Sequence, residues 1–388
     1  MIVFIVPSSQ LDLLSWVAPP PRVIPPPVVY PLCQQSGPLP PRTEVSCSSC
    51  ARPELRCGCE LPPWQIAPMS PAEDIPQVTD EDRLLIVDGS ALLHRYYFSE
   101  QQKGTSRRLD KQGRSVDALY WSTRALLQIL GHVQPTHVAV VIDHPDGSEA
   151  RKVLYPGYRS RKEKDPGFAA QVEIAARSAW RVLGMRIYQD ASCEADDVIA
   201  TLAHRWPQRA GLYLCCWDKD LLPVLDPIDY GPSRTLVQIE EGKVAFKEPA
   251  QVALDRFAVH CSQLPDLLAL MGDASDCLPG VPGIGKKTAA ELLTRYQSLW
   301  GIYRHLDEGT LNIRDLRGGL RIVGLLKEHR ESAITTRRLV QLDRAVSGVV
   351  GEVAAFEVGH RWKWADDGDA AIEATYAELG LGDLLSQP

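Results

Sequence analysis

Nine carboxylates in this chain have the residue types and spacing expected of ligands for divalent cations. They are Asp88, Asp143, Glu194, Asp196, Asp197, Asp218, Asp220, Asp273 and Asp276. Magnesium and manganese take oxygen ligands, and these acids have no histidine among them that would indicate zinc. Nine carboxylates suffice for two such ions, and two ions can activate a water and stabilise the leaving oxygen when a phosphodiester is cleaved.

Short apolar runs precede three of these acids and predict how they are brought together. LLIV ends at Asp88, VAVVI at Asp143 and LYLCCW at Asp218, with helix-length sequence between the runs. Such runs are typical of buried parallel strands. Ligand sites in open α/β sheets lie at the carboxyl ends of the strands. We therefore expect the three acids to converge on one edge of a sheet.

A predicted helix adds acids to the same edge. In CEADDVIATLAHRW, three acids lie in the first turn of an amphipathic pattern whose apolar residues face the core. Pairing with a helix N-terminus explains one or two of them. Three in four positions repel one another unless cations lie between them.

A glycine-punctuated turn, PGVPGIG, leads directly into the helical pattern KKTAAELLTRY. Gly280 to Lys286 fits GxxxxGK, but Lys287 replaces the Ser or Thr of a P-loop and no apolar strand precedes the turn. A helix-hairpin-helix, whose amides bind a nucleic-acid phosphate, fits better. An ordinary helix-capping loop needs only one glycine, so three glycines and two lysines favour phosphate binding.

A basic segment, EARKVLYPGYRSRKEKDPGF, lies between two acid clusters and interleaves cations with Tyr155 and Tyr158. Bases can stack on the tyrosines while the cations follow the phosphates. A solvated basic helix face is the alternative. A second basic loop runs from Lys103 to Arg114.

The composition bounds the class of protein. The 388 residues are 45% hydrophobic and 23% charged, with a formal net charge of −7. These values are typical of a soluble globular protein. The negative net charge is compatible with DNA binding, because the local distribution of charge determines whether DNA can bind. No apolar run approaches a membrane span. Ten scattered cysteines do not resemble a disulfide framework, so we expect a cytoplasmic protein with no membrane partner.

Residues 1 to about 76 differ from the rest of the chain. This segment is rich in proline, which predicts a disordered or extended tail. Four cysteines there, Cys47, Cys50, Cys57 and Cys59, leave a zinc knuckle open as an alternative. The abrupt change of composition also motivates the hypothesis that translation starts at Met69.

Several motifs together resemble the 5′ nuclease superfamily, which comprises flap endonucleases and the 5′→3′ exonuclease domain of bacterial DNA polymerase I. They include IVDGSALLHRYYF, YRSRK, EADDVIATLA, WDKDLLPVL and LALMGDASDCLPGVPGIGKKTAAELL. The stand-alone exonuclease IX type is the most similar. The resemblance implies an α/β fold with a PIN-like, mostly parallel sheet and a C-terminal helix-hairpin-helix subdomain. We predict a tail at 1–76, a catalytic domain at 77–250, a DNA-binding subdomain at 251–345 and an extension at 346–388.

The resemblance also implies roles for individual residues. A tighter metal site would comprise Asp88, Asp143, Glu194, Asp196 and Asp197. A second site would comprise Asp218, Asp220, Asp273 and Asp276. The catalytic residues of a basic arch would be Arg151, Tyr158, Arg159 and Lys162. A potassium ion would bind the backbone carbonyls of Leu270, Met271, Pro279, Val281 and Ile284. DNA would contact Gly283, Ile284, Gly285, Lys286, Lys287 and Thr288.

The implied protein is a monomeric, metal-dependent 5′ nuclease that acts on DNA with 5′ flaps or 5′ ends. Arg159 and Lys162 depart from the usual Lys and Arg of the arch, and Cys277 replaces a common asparagine. Because lysine and arginine present their donors differently, the turnover rate is affected more than the reaction. The alternatives are a non-catalytic DNA-binding homologue and a PIN-type ribonuclease.

Overall fold

A computed structural model describes residues 78–103, 108–160, 165–231, 233–312, 318–346, 362 and 370–385. The strands are β1 Arg83–Asp88, β2 His137–Val141, β3 Arg186–Tyr188, β4 Gly211–Cys215, β5 Arg234–Glu240 and β6 Lys243–Lys247. The first helices are α1 Gly89–Lys103, α2 Asp117–Val133, α3 Glu149–Leu154, α4 Pro166–Ile174, α5 Ala195–Arg205 and α6 Pro227–Tyr230. The later helices are α7 Pro249–Phe257, α8 Leu264–Met271, α9 Lys286–Tyr296, α10 Leu299–Asp307, α11 Gly319–Glu328, α12 Arg330–Val340 and α13 Ala370–Glu378. The predicted tail, its four cysteines and Met69 lie outside the described residues.

The strands form one sheet in the order β3-β2-β1-β4-β5-β6. The first five strands in that order pair in parallel, and β6 pairs antiparallel with β5 at the edge. In register, Ile86 of β1 lies beside Ala139 of β2 and Leu214 of β4. The predicted α/β class with a mostly parallel sheet is confirmed.

The central strand shows why the apolar runs form this sheet. Side chains alternate between the two faces of a strand, so an unbroken apolar run must be covered on both sides. Leu84 and Ile86 pack into one core with α5 and α8. Leu85 and Val87 pack into another with α1 and α2. Helices on both faces bury β1, in which only the first residue, Arg83, is partly exposed.

The helices after the sheet are tied together by one buried acid. Asp266 in the first turn of α8 accepts a hydrogen bond of 2.9 Å from the backbone N–H of Leu299 at the start of α10. Its other oxygen accepts one of 2.5 Å from Nε of Arg337 on α12. These two hydrogen bonds fix α8, which precedes the glycine turn, against α10 and α12.

The C-terminal extension, for which the sequence offered no motif, contributes a helix to the second core. Ile372, Tyr376 and Leu379 of the α13 region are buried there. The Tyr376 hydroxyl donates to the carbonyl of Ala179 at 3.1 Å. The backbone N–H of Lys111 donates to the carbonyl of Glu378 at 3.1 Å. The extension therefore holds part of the second basic loop.

Five cysteines in the described part of the chain are free thiols, and Cys215 and Cys216 among them are buried. In the same residues no helix has the length and apolarity to cross a membrane.

Candidate metal centre and nucleic-acid interface

The acids that follow the strands are fixed by the starts of helices. Asp88 Oδ1 accepts from the backbone N–H of Ala91 at 2.9 Å, in the first turn of α1. Asp143 Oδ1 accepts from the first residue of α5, Ala195, at 3.0 Å. Such contacts satisfy helix N–H groups that have no partner within the helix, and the helix dipole favours the negative charge. The local fold therefore holds carboxylates at the carboxyl edge of the sheet.

Four acids form a group whose members repel one another: Asp88, Asp143, Asp196 and Asp218. Burial and then repulsion from Asp143 and Asp218 raise the pKa of Asp88 to about 8. Burial, followed by repulsion from Asp218 and Asp88, raises the pKa of Asp196 well above its ordinary value. Asp88 is buried, Asp196 and Asp218 are half-buried and Asp143 is exposed, so the group lies at the open edge of the sheet with negative charge that is not balanced there.

A second group comprises Asp220, Asp273 and Asp276, whose carboxylate oxygens lie within 4.8 Å of one another. Asp273 and Leu278 exchange two backbone hydrogen bonds, of 2.9 and 2.7 Å, which hold the two aspartates after α8 in place. Burial followed by repulsion from Asp218 raises the pKa of Asp220 to about 7. In the described part of the chain, Oδ1 of Asp220 is buried and accepts no hydrogen bond.

Two arginines of the predicted arch bind the remaining acids. Arg151 Nη1 lies 2.8 Å from Glu194 Oε2 and 2.6 Å from Asp197 Oδ2. Arg159 contacts Glu194 and donates from Nε to Asp276 Oδ1 at 2.8 Å. Ionised partners make these strong hydrogen bonds. Glu194 and Asp197 are therefore neutralised by the chain's own cations.

Tyr158 corrects one interpretation of the sequence. Its side chain is 3% exposed and its hydroxyl donates to Glu194 Oε2 at 2.8 Å, so the ring cannot serve as the stacking surface predicted from its position among cations. The ring packs in an apolar cluster with Leu268, Leu278, Leu339 and Val340, and the acid that its hydroxyl contacts lies 36 positions along the chain. Sequence spacing could not show either contact. Lys162 lies outside the described residues.

Lys219 was not predicted as a site residue, although it stands between Asp218 and Asp220 in the sequence. Its Nζ lies 2.7 Å from Asp273 Oδ2 and 3.4 Å from Asp220 Oδ1. Burial opposes the hydrogen bonds of Asp273, yet those from Lys219 and Ser275 keep the pKa of Asp273 below its ordinary value. The alternation of acid and base in DKD was the available signal.

The glycine turn crosses the end of α8 in close contact. Gly280 has φ of 58°, and a Cβ there would lie 2.2 Å from the backbone N of Gly272, so only glycine fits. Gly283 also has a positive φ, of 89°. A helix precedes the turn, in agreement with the argument against a P-loop.

The start of α9 presents the surface predicted to contact DNA. Gly283, Gly285, Lys286 and Lys287 are exposed, Thr288 is half-buried and Ile284 is buried. Lys286 donates from Nζ to the carbonyl of Arg256 at 3.0 Å. The first N–H groups of α9 and the ammonium of Lys287 can bind an anion.

The predicted potassium ligands surround the same turn. The carbonyl of Leu270 accepts from the N–H of Val281 at 2.8 Å, and that of Val281 accepts from the N–H of Ile284 at 3.0 Å. Met271 and Pro279 flank this crossing. The five carbonyls remain a prediction.

The donor set fits hard divalent cations. The two acid groups offer carboxylate oxygens, one of them the buried Oδ1 of Asp220 without a hydrogen bond in the described residues. Mutual repulsion in the group that contains Asp88 leaves a deficit of positive charge. Oxygen ligands and unbalanced negative charge are what Mg²⁺ and Mn²⁺ require.

Two family models match this chain. One describes a 5′-3′ exonuclease N-terminal, resolvase-like domain and matches residues 83–248. The other describes a 5′-3′ exonuclease C-terminal SAM fold and matches residues 259–359. Together they cover both acid groups and the glycine turn.

Similar full-length proteins are bacterial polymerases. DNA polymerase I of Mycobacterium leprae is 29% identical over 267 residues, which are 68% of this chain and 27% of the polymerase. DNA polymerase I of Caldicellulosiruptor bescii is 32% identical over 239 residues, 60% of this chain and 27% of the polymerase. The chain thus spans about a quarter of these relatives.

Solved structures share the fold. T5 5′-exonuclease with divalent zinc ions bound has a TM-score of 0.53 at 17% identity, over 71% of this chain and 98% of the other. The bacteriophage T5 flap endonuclease in a pseudo-enzyme–product complex with DNA and metal ions has a TM-score of 0.51 at 16% identity, over 79% of this chain and 100% of the other. These likenesses confirm the PIN-like sheet with a C-terminal helical subdomain.

Proposed function

The chain belongs to the 5′-3′ exonuclease family and is a nuclease, and from this premise we propose that it hydrolyses DNA phosphodiesters at 5′ flaps and 5′ ends with two divalent ions. The observation that carries this proposal is the unbalanced negative charge of two acid groups, the second of which lies just before the glycine turn in the chain. The metal ions and DNA in the T5 structures support it by analogy.

The pairing of charges supports a refined assignment of metal ligands. Asp88, Asp143 and Asp196 would hold one ion, with Asp218 between the groups, because these acids repel one another and form no salt bridge within the described residues. Asp220, Asp273 and Asp276 would hold the other. Glu194 and Asp197, which the resemblance placed in the tighter site, would chiefly position Arg151 and Arg159. Such ions, when bound, supply activation of the attacking water and stabilise the leaving oxygen.

The chain's own residues would bind and orient the DNA. Arg159 contacts Glu194, just before α5, and Asp276, in the segment after α8. Its guanidinium can therefore turn toward a phosphate that binds between these two segments. The turn from Gly283 to Thr288 would bind a more distant phosphate through backbone N–H groups and Lys287. A potassium ion on the five carbonyls would stiffen that turn. We expect a cytoplasmic monomer that serves DNA repair or replication.

A labelled 5′-flap DNA tests the proposal. The full chain should release a short 5′ product with Mg²⁺ and none with EDTA. Asp196→Ala should abolish cleavage and leave DNA binding largely intact, whereas Asp255→Ala, at an exposed position on α7, should cut as the wild type does.

Each failure has a distinct meaning. Binding without a magnesium-dependent product would favour a non-catalytic DNA-binding homologue. Faster cleavage of unstructured RNA would favour a PIN-type ribonuclease. Wild-type turnover by Asp196→Ala would refute the metal assignment.

A further inference from the structure

The second acid group already contains a cation that belongs to the protein. Lys219 follows Asp218 at the start of a short 3₁₀ helix, Lys219–Leu225, and its side chain is 20% exposed. Its ammonium donates to Asp273 Oδ2 at 2.7 Å and lies 3.4 Å from Asp220 Oδ1. It therefore sits among the oxygens that would bind the second ion.

The position of this lysine is set by the backbone on both sides. Asp218 Oδ1 accepts from the N–H of Asp220 at 2.9 Å, which starts the 3₁₀ helix and directs Lys219 toward the segment after α8. Ser275 donates to Asp273 Oδ1 from its N–H at 2.8 Å and from its hydroxyl at 2.5 Å. Asp273 is thus fixed with one oxygen toward Ser275 and the other toward Lys219. The contact links two segments more than 50 positions apart.

The charge of the group has two consequences. Three carboxylates within 4.8 Å would repel one another strongly, and one ammonium offsets part of that repulsion. The same ammonium repels a divalent ion that enters the group. A lysine here stabilises the ion-free arrangement and opposes occupancy by metal.

The other acid group provides the contrast. Burial and mutual repulsion dominate around Asp88 and Asp196, and the cation that acts on them, Arg159, makes its own contacts with Glu194 and Asp276. That group gains more from a bound ion than the group that contains Lys219. The two sites should therefore differ in intrinsic affinity.

We propose that Lys219 is a positioning residue that acts as the built-in counter-cation of the second metal site, so that this site binds its ion tightly only when a DNA phosphate adds negative charge. The inference rests on the proposed two-ion nuclease function. The phosphate offsets the repulsion between ammonium and incoming ion, which couples occupancy of the second site to substrate binding. Without DNA, one ion binds tightly and the other weakly.

Binding of Mn²⁺ to the full chain without DNA tests this inference by calorimetry and by electron paramagnetic resonance. The wild type should bind one ion tightly and a second weakly. Lys219→Met should tighten the second ion about tenfold or more, because a positive charge a few ångströms away is removed. The two ions should then give the exchange-coupled spectrum of a manganese pair.

Three variants keep the test specific. Lys219→Arg retains the charge and should bind Mn²⁺ as the wild type does. Lys219→Gln removes the charge but can still donate to Asp273, so it should tighten the second ion even if the methionine variant fails to fold. Lys247→Met, which removes a lysine paired with Glu240 at the far edge of the sheet, should leave both affinities unchanged.

The outcomes separate this inference from the proposed function. A wild type that binds Mn²⁺ and cuts flap DNA, with Lys219→Gln binding the second ion equally or more weakly, would overturn the role of Lys219 alone. A wild type that neither binds Mn²⁺ nor cuts DNA would overturn the nuclease proposal itself.

Discussion

Replacing Asp88 with asparagine should make the ion-free protein more stable at pH 8, although it removes a proposed metal ligand. Asp88 is 5% exposed, and burial with repulsion from Asp143 and Asp218 raises its pKa from 3.8 to about 8. Asparagine keeps an oxygen that can accept from Ala91 N–H, so the start of α1 retains its cap. The change therefore removes charge with little effect on local structure.

The direction in which pH changes the stability depends on whether Asp88 is protonated in the folded and in the unfolded chain. Below about pH 4 the carboxyl group is protonated in the folded and unfolded chain, so it does not alter stability. Between pH 4 and 8 the unfolded chain releases the proton while the folded chain keeps it. The free energy of unfolding of the ion-free wild type therefore falls as the pH rises through this window. At 1.36 kcal/mol per pKa unit, the free energy of unfolding falls by about 6 kcal/mol over the whole window. This loss belongs to Asp88 together with the acids that repel it, and not to Asp88 alone.

Thermal melts in EDTA between pH 5 and 8.5 measure this effect. At pH 8, Asp88→Asn should melt about 5–10 °C above the wild type, and the difference should shrink toward pH 5. Mg²⁺ should raise the melting temperature of the wild type at pH 8 and have less effect on the variant.

Asp165→Asn is a matched control, because Asp165 also caps a helix but is only half-buried. A hydrogen bond from Tyr97 and those from Phe168 and Gly167 lower its pKa, so its charge favours the fold and its loss should lower stability above pH 4. Two results would refute the effect assigned to Asp88. One is an Asp88→Asn variant that is less stable than the wild type at pH 8 in EDTA. The other is a melting temperature that depends on pH in the same way in Asp88→Asn and in the wild type.

Three further perturbations have defined outcomes. Arg151→Met leaves the buried Asp197 without its cation and Glu194 with Arg159 alone, and should lower the free energy of unfolding in EDTA by about 3–5 kcal/mol, measured by urea denaturation, with partial recovery in Mg²⁺. Replacing Lys286 and Lys287 with alanine should weaken DNA binding and reduce the slope of log K against log salt by up to about two, measured by fluorescence anisotropy; an unchanged slope would place these lysines away from DNA. Cys277 has φ of 61°, a conformation that asparagine tolerates better, so Cys277→Asn should stabilise the fold by about 0.5–1 kcal/mol in the same denaturation assay.

The sequence predicted those parts of the site that depend on local pattern. Apolar runs that end in Asp88, Asp143 and Asp218 mark buried strands, because burial on both faces requires an unbroken run. The glycine at 280 marked the turn, because only glycine tolerates both its φ and the nearby backbone of Gly272. These features are encoded within a few residues and can be recognised without a structure.

Contacts between segments that are far apart in the sequence cannot be recognised from a pattern of a few residues. Charge and spacing predicted that Tyr158 lies among solvent-facing cations, whereas its side chain is buried and its hydroxyl donates to Glu194. Lys219 lies in a recognised motif, but its partner Asp273 is 54 positions away. Which cation binds which acid depends on the packing of α8 and the arch against the sheet. The domain boundaries remain predictions.

The C-terminal helix α13 has a practical consequence for anyone who shortens this chain. Both family matches end by residue 359, so a minimal version designed from them would omit Ile372, Tyr376 and Leu379. Their removal would uncover apolar surface beside Ala175–Ala179 and free the backbone of Lys111. Aggregation during purification would then be the first symptom, well before any defect in chemistry, and a poor yield of such a fragment would say nothing about its active centre.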